Sequence, residues 1–71
     1  MAMKLSTRNM LKGTIKSITP GAVNTEVVIE LAGGAKLVSI ITKTSAEELE
    51  LAPGKEAYAL IKASSVIIGV D

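Results

Sequence analysis

The chain has 71 residues, 48% of them hydrophobic, and 8 basic against 7 acidic residues give a formal charge of +1. A chain of this length forms one domain, and so small a domain has little interior in which to bury that many apolar side chains. Composition therefore predicts that apolar surface is buried between subunits. The sequence contains no cysteine and no histidine, which excludes disulfides, thiolate metal sites and catalysis by histidine.

Proline and glycine divide the chain at Pro20-Gly21, Gly33-Gly34 and Pro53-Gly54. Alternating side chains predict a first strand over residues 10–19, kinked or closely approached by a neighbour at Gly13. β-branched residues predict a second strand over residues 22–31. A glycine hairpin turn then leads to a third strand over residues 36–42.

The spacing of apolar and polar residues changes after the third strand. Two overlapping capping boxes, Thr44 to Glu47 and Ser45 to Glu48, predict a short helix that ends before Pro53. Two further apolar runs follow, over residues 57–61 and 66–68. The pattern predicts an all-β fold with one short helix, a five-stranded OB-like Greek-key barrel. A small β-sandwich and an SH3-like barrel are the alternatives that periodicity leaves open.

Three polar patches are candidates for binding an anion: Ser6-Thr7-Arg8-Asn9, Thr42-Lys43-Thr44-Ser45 and Lys62-Ala63-Ser64-Ser65. Arginine offers a fork of N–H donors to the oxygens of an anion, and a helix start offers free N–H groups. Each patch also has a simpler explanation. The first could be a solvated approach to a strand, the second a helix cap, and the third a charge that protects an edge strand.

Other classes of function are disfavoured. OB-folds that bind single-stranded nucleic acid use aromatic stacking in a basic groove, whereas this chain has one aromatic residue, Tyr58, and nearly balanced charge. No serine lies beside a plausible base, so we predict that the protein is not an enzyme. The apolar runs are too short to cross a membrane or to form a signal peptide. We therefore expect a cytoplasmic protein with neither a nucleic-acid nor a membrane partner.

The sequence as a whole resembles the Mop domain of the molbindin family. The run Leu5-Ser6-Thr7-Arg8-Asn9-Met10-Leu11-Lys12-Gly13 is similar to the family opening Ser-Ala-Arg-Asn-Gln-Leu-x-Gly, with Thr7 and Met10 as departures. The match continues, without insertions, through residues 21–28 and 39–42, then at Ser45, Leu49, Leu51 and Pro53-Gly54, and finally through residues 59–64. It implies one Mop domain over residues 1–71, in the stand-alone form.

The resemblance implies a function and a site. Molbindins bind molybdate or tungstate between the subunits of a homohexamer, a trimer of dimers. By motif position, one subunit would contribute Ser6, Arg8, Lys62 and Ser64, with the backbone N–H of Ala63. A neighbour would contribute Thr42 and Ser45. A second type of site is expected around the symmetry axis, on residues that the motif does not assign.

Two functional hypotheses follow. The first is an intracellular binding protein that stores molybdate or tungstate, taken up as the intact oxyanion with no further cofactor and no direct metal ligand. The alternative is a structural module whose role is assembly and which has no oxyanion ligand.

Overall fold

The structure is a computed structural model that describes residues 8–71. These residues form four strands, one α-helix and one short 3-10 turn. The elements are β1 (Asn9–Pro20), β2 (Asn24–Leu31), β3 (Lys36–Thr42), α1 (Lys43–Glu48), β4 (Glu56–Ile61) and the 3-10 turn (Ala63–Ser65).

The four strands form one antiparallel sheet in the order β3-β2-β1-β4. β1 pairs with β4 through its first half, from Asn9 to Thr14, and with β2 through its second half, from Gly13 to Pro20. A β-bulge between Ile15 and Ser17 interrupts the second ladder, and such bulges increase local twist. Offset pairing and the bulge together curl the sheet, as in an OB-like fold.

The hydrophobic core is small and lies on the inner face of this sheet. Only Ile15, Val27 and Ile29 are fully buried hydrophobic residues in the described part of the chain. Residues that are only half-buried surround them, including Leu51 after the helix and Ala57 on β4. A core of this size leaves much apolar surface exposed, as the composition predicted.

The hairpin between β2 and β3 confirms the glycine turn predicted from the sequence. Gly33 and Gly34 have φ angles of 91° and 94°, a region that residues with a side chain rarely adopt. The Gly34 N–H donates to the carbonyl oxygen of Leu31 at 3.0 Å. The turn fixes the register of the two strands, in which Val28 lies opposite Val38.

The helix differs from its prediction at its first turn. It begins at Lys43, and the cap is Thr42, whose Oγ1 accepts a hydrogen bond from the Ser45 N–H. Thr44 and Ser45 are therefore helical residues and not caps, and the first turn holds no acidic side chain. The capping-box pattern placed the start of the helix too late, because the hydroxyl of Thr42, at the end of β3, already caps it.

The predicted fifth strand over residues 66–68 does not form within the chain. After the 3-10 turn, residues 66–71 are irregular and exposed. The turn is closed by hydrogen bonds from Ser65 N to Lys62 O and from Val66 N to Ala63 O, and the chain continues from it without meeting a strand of its own sheet. The described residues therefore give a four-stranded curled sheet, and the five-stranded Greek-key closure is not confirmed.

Thr25 provides a test of this core. It is 2% exposed, and its Oγ1 has no hydrogen-bond partner among the described residues. A buried hydroxyl without a partner is destabilising. We expect Thr25→Val to raise the free energy of unfolding by about 1 kcal/mol, because valine has the same shape without the hydroxyl.

Urea denaturation at fixed protomer concentration measures this change. Thr14→Val, at an exposed position of the same sheet, is the matched control and should leave the midpoint almost unchanged. Destabilisation by Thr25→Val would mean that the hydroxyl is satisfied in the folded protein.

Candidate functional site

Two of the predicted cationic residues lie at the same end of the sheet. Asn9 opens β1 and lies opposite Ile61, the last residue of β4. The preceding residue Arg8 and the following residue Lys62 therefore come together at this end, both exposed. We call Arg8, Lys62, Ala63 and Ser64 the cationic end of the sheet.

No described residue neutralises either cation of the cationic end. The ion pair found in residues 8–71 is Lys12 Nζ to Glu56 Oε2, at 3.3 Å, which involves neither Arg8 nor Lys62. Two like charges side by side repel each other unless an anion lies between them. The Lys62 side chain also makes no capping hydrogen bond to the 3-10 turn that it precedes. Both side chains are therefore available to a ligand.

Asn9 holds the cationic end together; the sequence analysis placed it in a candidate anion-binding patch but not among the predicted site residues. Its Nδ2 donates to the carbonyl oxygen of Ile61 at 3.1 Å. This hydrogen bond joins the start of β1 to the end of β4. Asn9 therefore helps to position Arg8, which precedes it, and Lys62, which follows Ile61. Its place in the motif Arg-Asn was the available signal.

The hydroxyls of Thr42 and Ser45 meet at the junction of β3 and α1, which we call the hydroxyl end. Thr42 Oγ1 accepts from the Ser45 N–H at 3.0 Å and donates to Ser45 Oγ at 2.8 Å. The Ser45 hydroxyl proton is then left free to donate outward. This arrangement satisfies the helix cap and still presents one polarised donor at the surface.

The cationic and hydroxyl ends lie at opposite ends of the molecule. β1 begins beside Ile61 and ends at Pro20, which pairs with Thr25, and Asn24 next to it pairs with Thr42. A strand of 12 residues measures roughly 40 Å when fully extended, and the bulge shortens the distance between its ends only in part. One small anion cannot contact both ends of a single chain.

Of the seven residues predicted for the site, six are described. Arg8, Lys62, Ala63 and Ser64 lie at the same end of the sheet, and Thr42 and Ser45 are hydrogen-bonded to each other at the junction of β3 and α1. Ser6 lies outside the described residues. The two main clefts are lined by other side chains: one of about 410 Å³ lies between β1, β2 and α1, and one of about 360 Å³ lies on the inner face of the sheet. The candidate residues therefore form open ends and not a closed pocket.

Neither a membrane span nor a direct metal site is found in residues 8–71. No helix there is both long and apolar enough to span a bilayer. Nor do three or more carboxylate, histidine or cysteine side chains come together as metal ligands. The chemistry of the described ends is that of hydroxyl, ammonium and guanidinium donors, which suits an anion.

The fold and these ends define a small OB-like β-protein with donor-rich sheet ends. The profile of the TOBE domain matches residues 5–68, and the chain belongs to that family. A probable molybdenum-pterin-binding protein of Haemophilus influenzae is 51% identical over 69 residues, covering 97% of this chain and 100% of that protein. The resemblance to the Mop domain predicted from the sequence is thereby confirmed.

Solved structures agree with this assignment. MopII from Clostridium pasteurianum superposes with a TM-score of 0.90 at 43% identity, over 94% of this chain and 100% of that one. ModG, described as a cytoplasmic molybdate-binding protein and solved with molybdate bound, gives a TM-score of 0.94 at 52% identity. The match covers 97% of this chain and 49% of ModG. Several longer relatives are matched over only 26% of their length.

Proposed function

We propose that the protein binds molybdate or tungstate between two copies of the chain and stores the anion inside the cell. Residues 1–71 act as one binding domain in this proposal, and the assembly is the hexamer, a trimer of dimers, that the family resemblance implies. The relatives support the ligand, because one is described as a probable molybdenum-pterin-binding protein and another as a molybdate-binding protein.

The observation that carries the interface is the separation of the two ends. Arg8 and Lys62 lie at the start of β1, whereas Thr42 and Ser45 lie beside its end. Since one chain cannot bring them together, a site that uses both ends needs the cationic end of one copy against the hydroxyl end of another. Head-to-tail contact of this kind also places the uncompensated cations inside an interface.

The donors on the two ends fit a tetrahedral dianion. Molybdate offers four acceptor oxygens and no donor, so its desolvation is offset only when almost every oxygen receives hydrogen bonds. Arg8 and Lys62 supply charge, Ser45 and Ser64 supply hydroxyls, and the Ala63 backbone N–H adds a neutral donor. Ser6 is proposed to complete this set. The metal is held only as its oxyanion, and no side chain binds it directly.

Uptake of the anion tests the proposal. In equilibrium dialysis with micromolar molybdate or tungstate, followed by elemental analysis, we expect saturable binding in a fixed ratio to protein. Sulfate at the same concentration is the comparison for selectivity. The melting temperature should rise with free ligand, because a ligand that binds only the folded protein stabilises it by RT ln(1 + [L]/Kd).

Absence of both anions after dialysis would overturn the proposal. A stable oligomer whose melting temperature does not change with molybdate or tungstate would instead support the alternative function, a structural module. The exposed apolar residues favour that second function, because they would drive assembly with or without a ligand.

A further inference from the structure

A cleft of about 410 Å³ lies between β1, β2 and α1, and we call it the helix cleft. None of the described residues proposed for the anion lines it. Its apolar walls come from Ile18 and Pro20 on β1 and from Leu51 after α1. Sites for small molecules have volumes of about 300–1,000 Å³ and combine apolar walls with a few polar groups. The size and lining of the helix cleft fit that description.

Thr25 brings a buried hydroxyl to the helix cleft. The residue is 2% exposed, and its side chain lies on the inner face of β2 with those of Val27 and Ile29. Its Oγ1 has no hydrogen-bond partner among residues 8–71. Because such a hydroxyl lowers stability, each one in a folded protein requires an explanation. A ligand in the cleft provides one, since it can bring the missing partner.

Glu50 is a second unfavourable residue at the same cleft. It directly follows the helix cap Leu49 and has a φ of 54°, a conformation that glycine or asparagine usually adopts at this position. Its carbonyl oxygen accepts from Lys55 Nζ at 2.8 Å, and its N–H donates to the Glu47 carbonyl oxygen at 3.0 Å. These bonds hold the strained backbone in place. Glutamate here, instead of glycine, adds a side chain to the lining of the cleft.

Three charged side chains line the helix cleft without an ion-pair partner. Lys43 and Glu47 lie one turn apart on α1, and Glu50 follows the helix. The ion pair found in residues 8–71 joins Lys12 to Glu56 and involves none of the three. A simple anion would meet two carboxylates there, and a simple cation would meet an ammonium. A ligand that carries both charges complements all three groups.

We propose that the helix cleft binds a small zwitterion, an α-amino acid with an aliphatic side chain. The ammonium of the ligand lies between the carboxylates of Glu47 and Glu50, and its carboxylate faces Lys43. The aliphatic chain packs against the apolar walls. An ammonium has three donors, so it can also supply Thr25 Oγ1 with a hydrogen bond. The site does not depend on the proposed oxyanion function, because it uses neither the cationic end nor the hydroxyl end.

Titration with L-norleucine, followed by nuclear magnetic resonance of isotope-labelled protein, tests the proposal. We expect saturable shifts of the Ala46 and Glu47 amide resonances, with a dissociation constant of about 1 mM, as befits so small a ligand. Val38, which lines neither cleft, should not respond. Two fragments serve as comparisons: n-pentylamine, which lacks the carboxylate, should bind about tenfold more weakly, and hexanoate, which lacks the ammonium, should not bind.

Substitutions test the roles of the charged groups. Glu47→Gln/Glu50→Gln should weaken norleucine binding by at least about tenfold, because charge-assisted hydrogen bonds are replaced by neutral ones. Glu48→Gln is the matched control, since Glu48 is exposed on the same helix and does not line the cleft. It should leave the dissociation constant unchanged. Lys43→Gln should weaken the binding of norleucine but not that of n-pentylamine.

Thr25→Val separates loss of the ligand from loss of the fold. It should weaken norleucine binding by about tenfold while the urea midpoint of the protein without ligand rises. Misfolding cannot produce that combination, because a misfolded variant would also be less stable.

Three results would overturn the proposal. The first is norleucine that shifts no resonance of α1 well above the expected dissociation constant. The second is hexanoate that binds as tightly as norleucine, which would mean that the apolar walls alone hold the ligand. The third is an equal loss of binding in Glu48→Gln and in Glu47→Gln/Glu50→Gln, which would mean that only overall charge matters. Molybdate uptake is measured separately, so failure of one proposal leaves the other standing.

Discussion

Arg8→Ala and Lys62→Ala should each weaken molybdate binding by about 100-fold while leaving the sheet folded. Each removes a charged donor from a site that must satisfy a dianion, and charge-assisted hydrogen bonds are the strong ones. Removing one donor from a buried anion costs about 2–5 kcal/mol, mostly because the anion keeps its desolvation penalty. Isothermal titration calorimetry measures the change.

Lys36→Ala is the matched control for these substitutions. Lys36 is an exposed cation at the first residue of β3, outside all three candidate patches. Its removal lowers net charge by the same amount but should change the dissociation constant less than about twofold, since separated surface charges are screened by salt. Equal losses at Lys36 and Lys62 would mean that the anion responds to overall charge, and that no defined site exists at the cationic end.

Mixing two inactive variants distinguishes a shared site from one inside a single chain. Lys62→Ala damages the cationic end and Thr42→Val the hydroxyl end. If each site takes one end from each of two copies, unfolding and refolding an equal mixture should restore about a quarter of the wild-type capacity. Random pairing makes the cationic end intact in half of the sites and the hydroxyl end intact in half of those.

The refolded mixture is compared with each variant refolded alone, which should bind no more than residual anion. A mixture that also fails to bind would contradict a site shared between copies. The separation of Lys62 and Thr42 by the length of β1 is what makes the expected result strong, because no rearrangement within one folded sheet brings them together.

The strands could be predicted from the sequence because their side chains alternate and glycines or prolines separate them. β3 was predicted with the bounds observed, Lys36 to Thr42, since Gly33-Gly34 fixes where it can begin. The helix start was misplaced by two or three residues, since the cap is Thr42 and not Thr44 or Ser45. Thr42, Thr44 and Ser45 all carry a hydroxyl that could cap the helix. Thr42 is the cap because β3 ends there and the helix begins at the next residue.

The structure of residues 66–68 and the arrangement of the site could not be predicted from the sequence, for physical reasons. The run Val66-Ile67-Ile68 has the composition of a buried strand, and composition does not specify which chain buries it. Arg8 and Lys62 are far apart in sequence, and only the register of β1 against β4 brings them together. Their place in one site came from the family resemblance, since hydroxyl and cationic patches by themselves are equally typical of caps and solvated surfaces.

Gly13→Ala should lower the free energy of unfolding by about 3 kcal/mol, because β1 is flanked on both sides at this residue. Gly13 lies opposite Leu31 on β2 and opposite Ala57 on β4. A Cβ there would come within 2.6 Å of the Glu30 carbonyl oxygen and 2.6 Å of Ile29 Cγ2. Ile29 could rotate, but the carbonyl belongs to the ladder and cannot move without loss of pairing.

The steric penalty at Gly13 outweighs the opposing entropic gain. Replacing glycine by alanine restricts the unfolded chain and stabilises by at most about 1 kcal/mol, less than the overlap costs. A domain of 71 residues has a total stability of about 5 kcal/mol, so more than half would be lost. Urea midpoints at fixed protomer concentration measure the change against Lys16→Ala, an exposed residue at the bulge. An unchanged midpoint would mean that β1 and β2 separate at Gly13 in solution, and the register that brings Arg8 beside Lys62 would then lose its support.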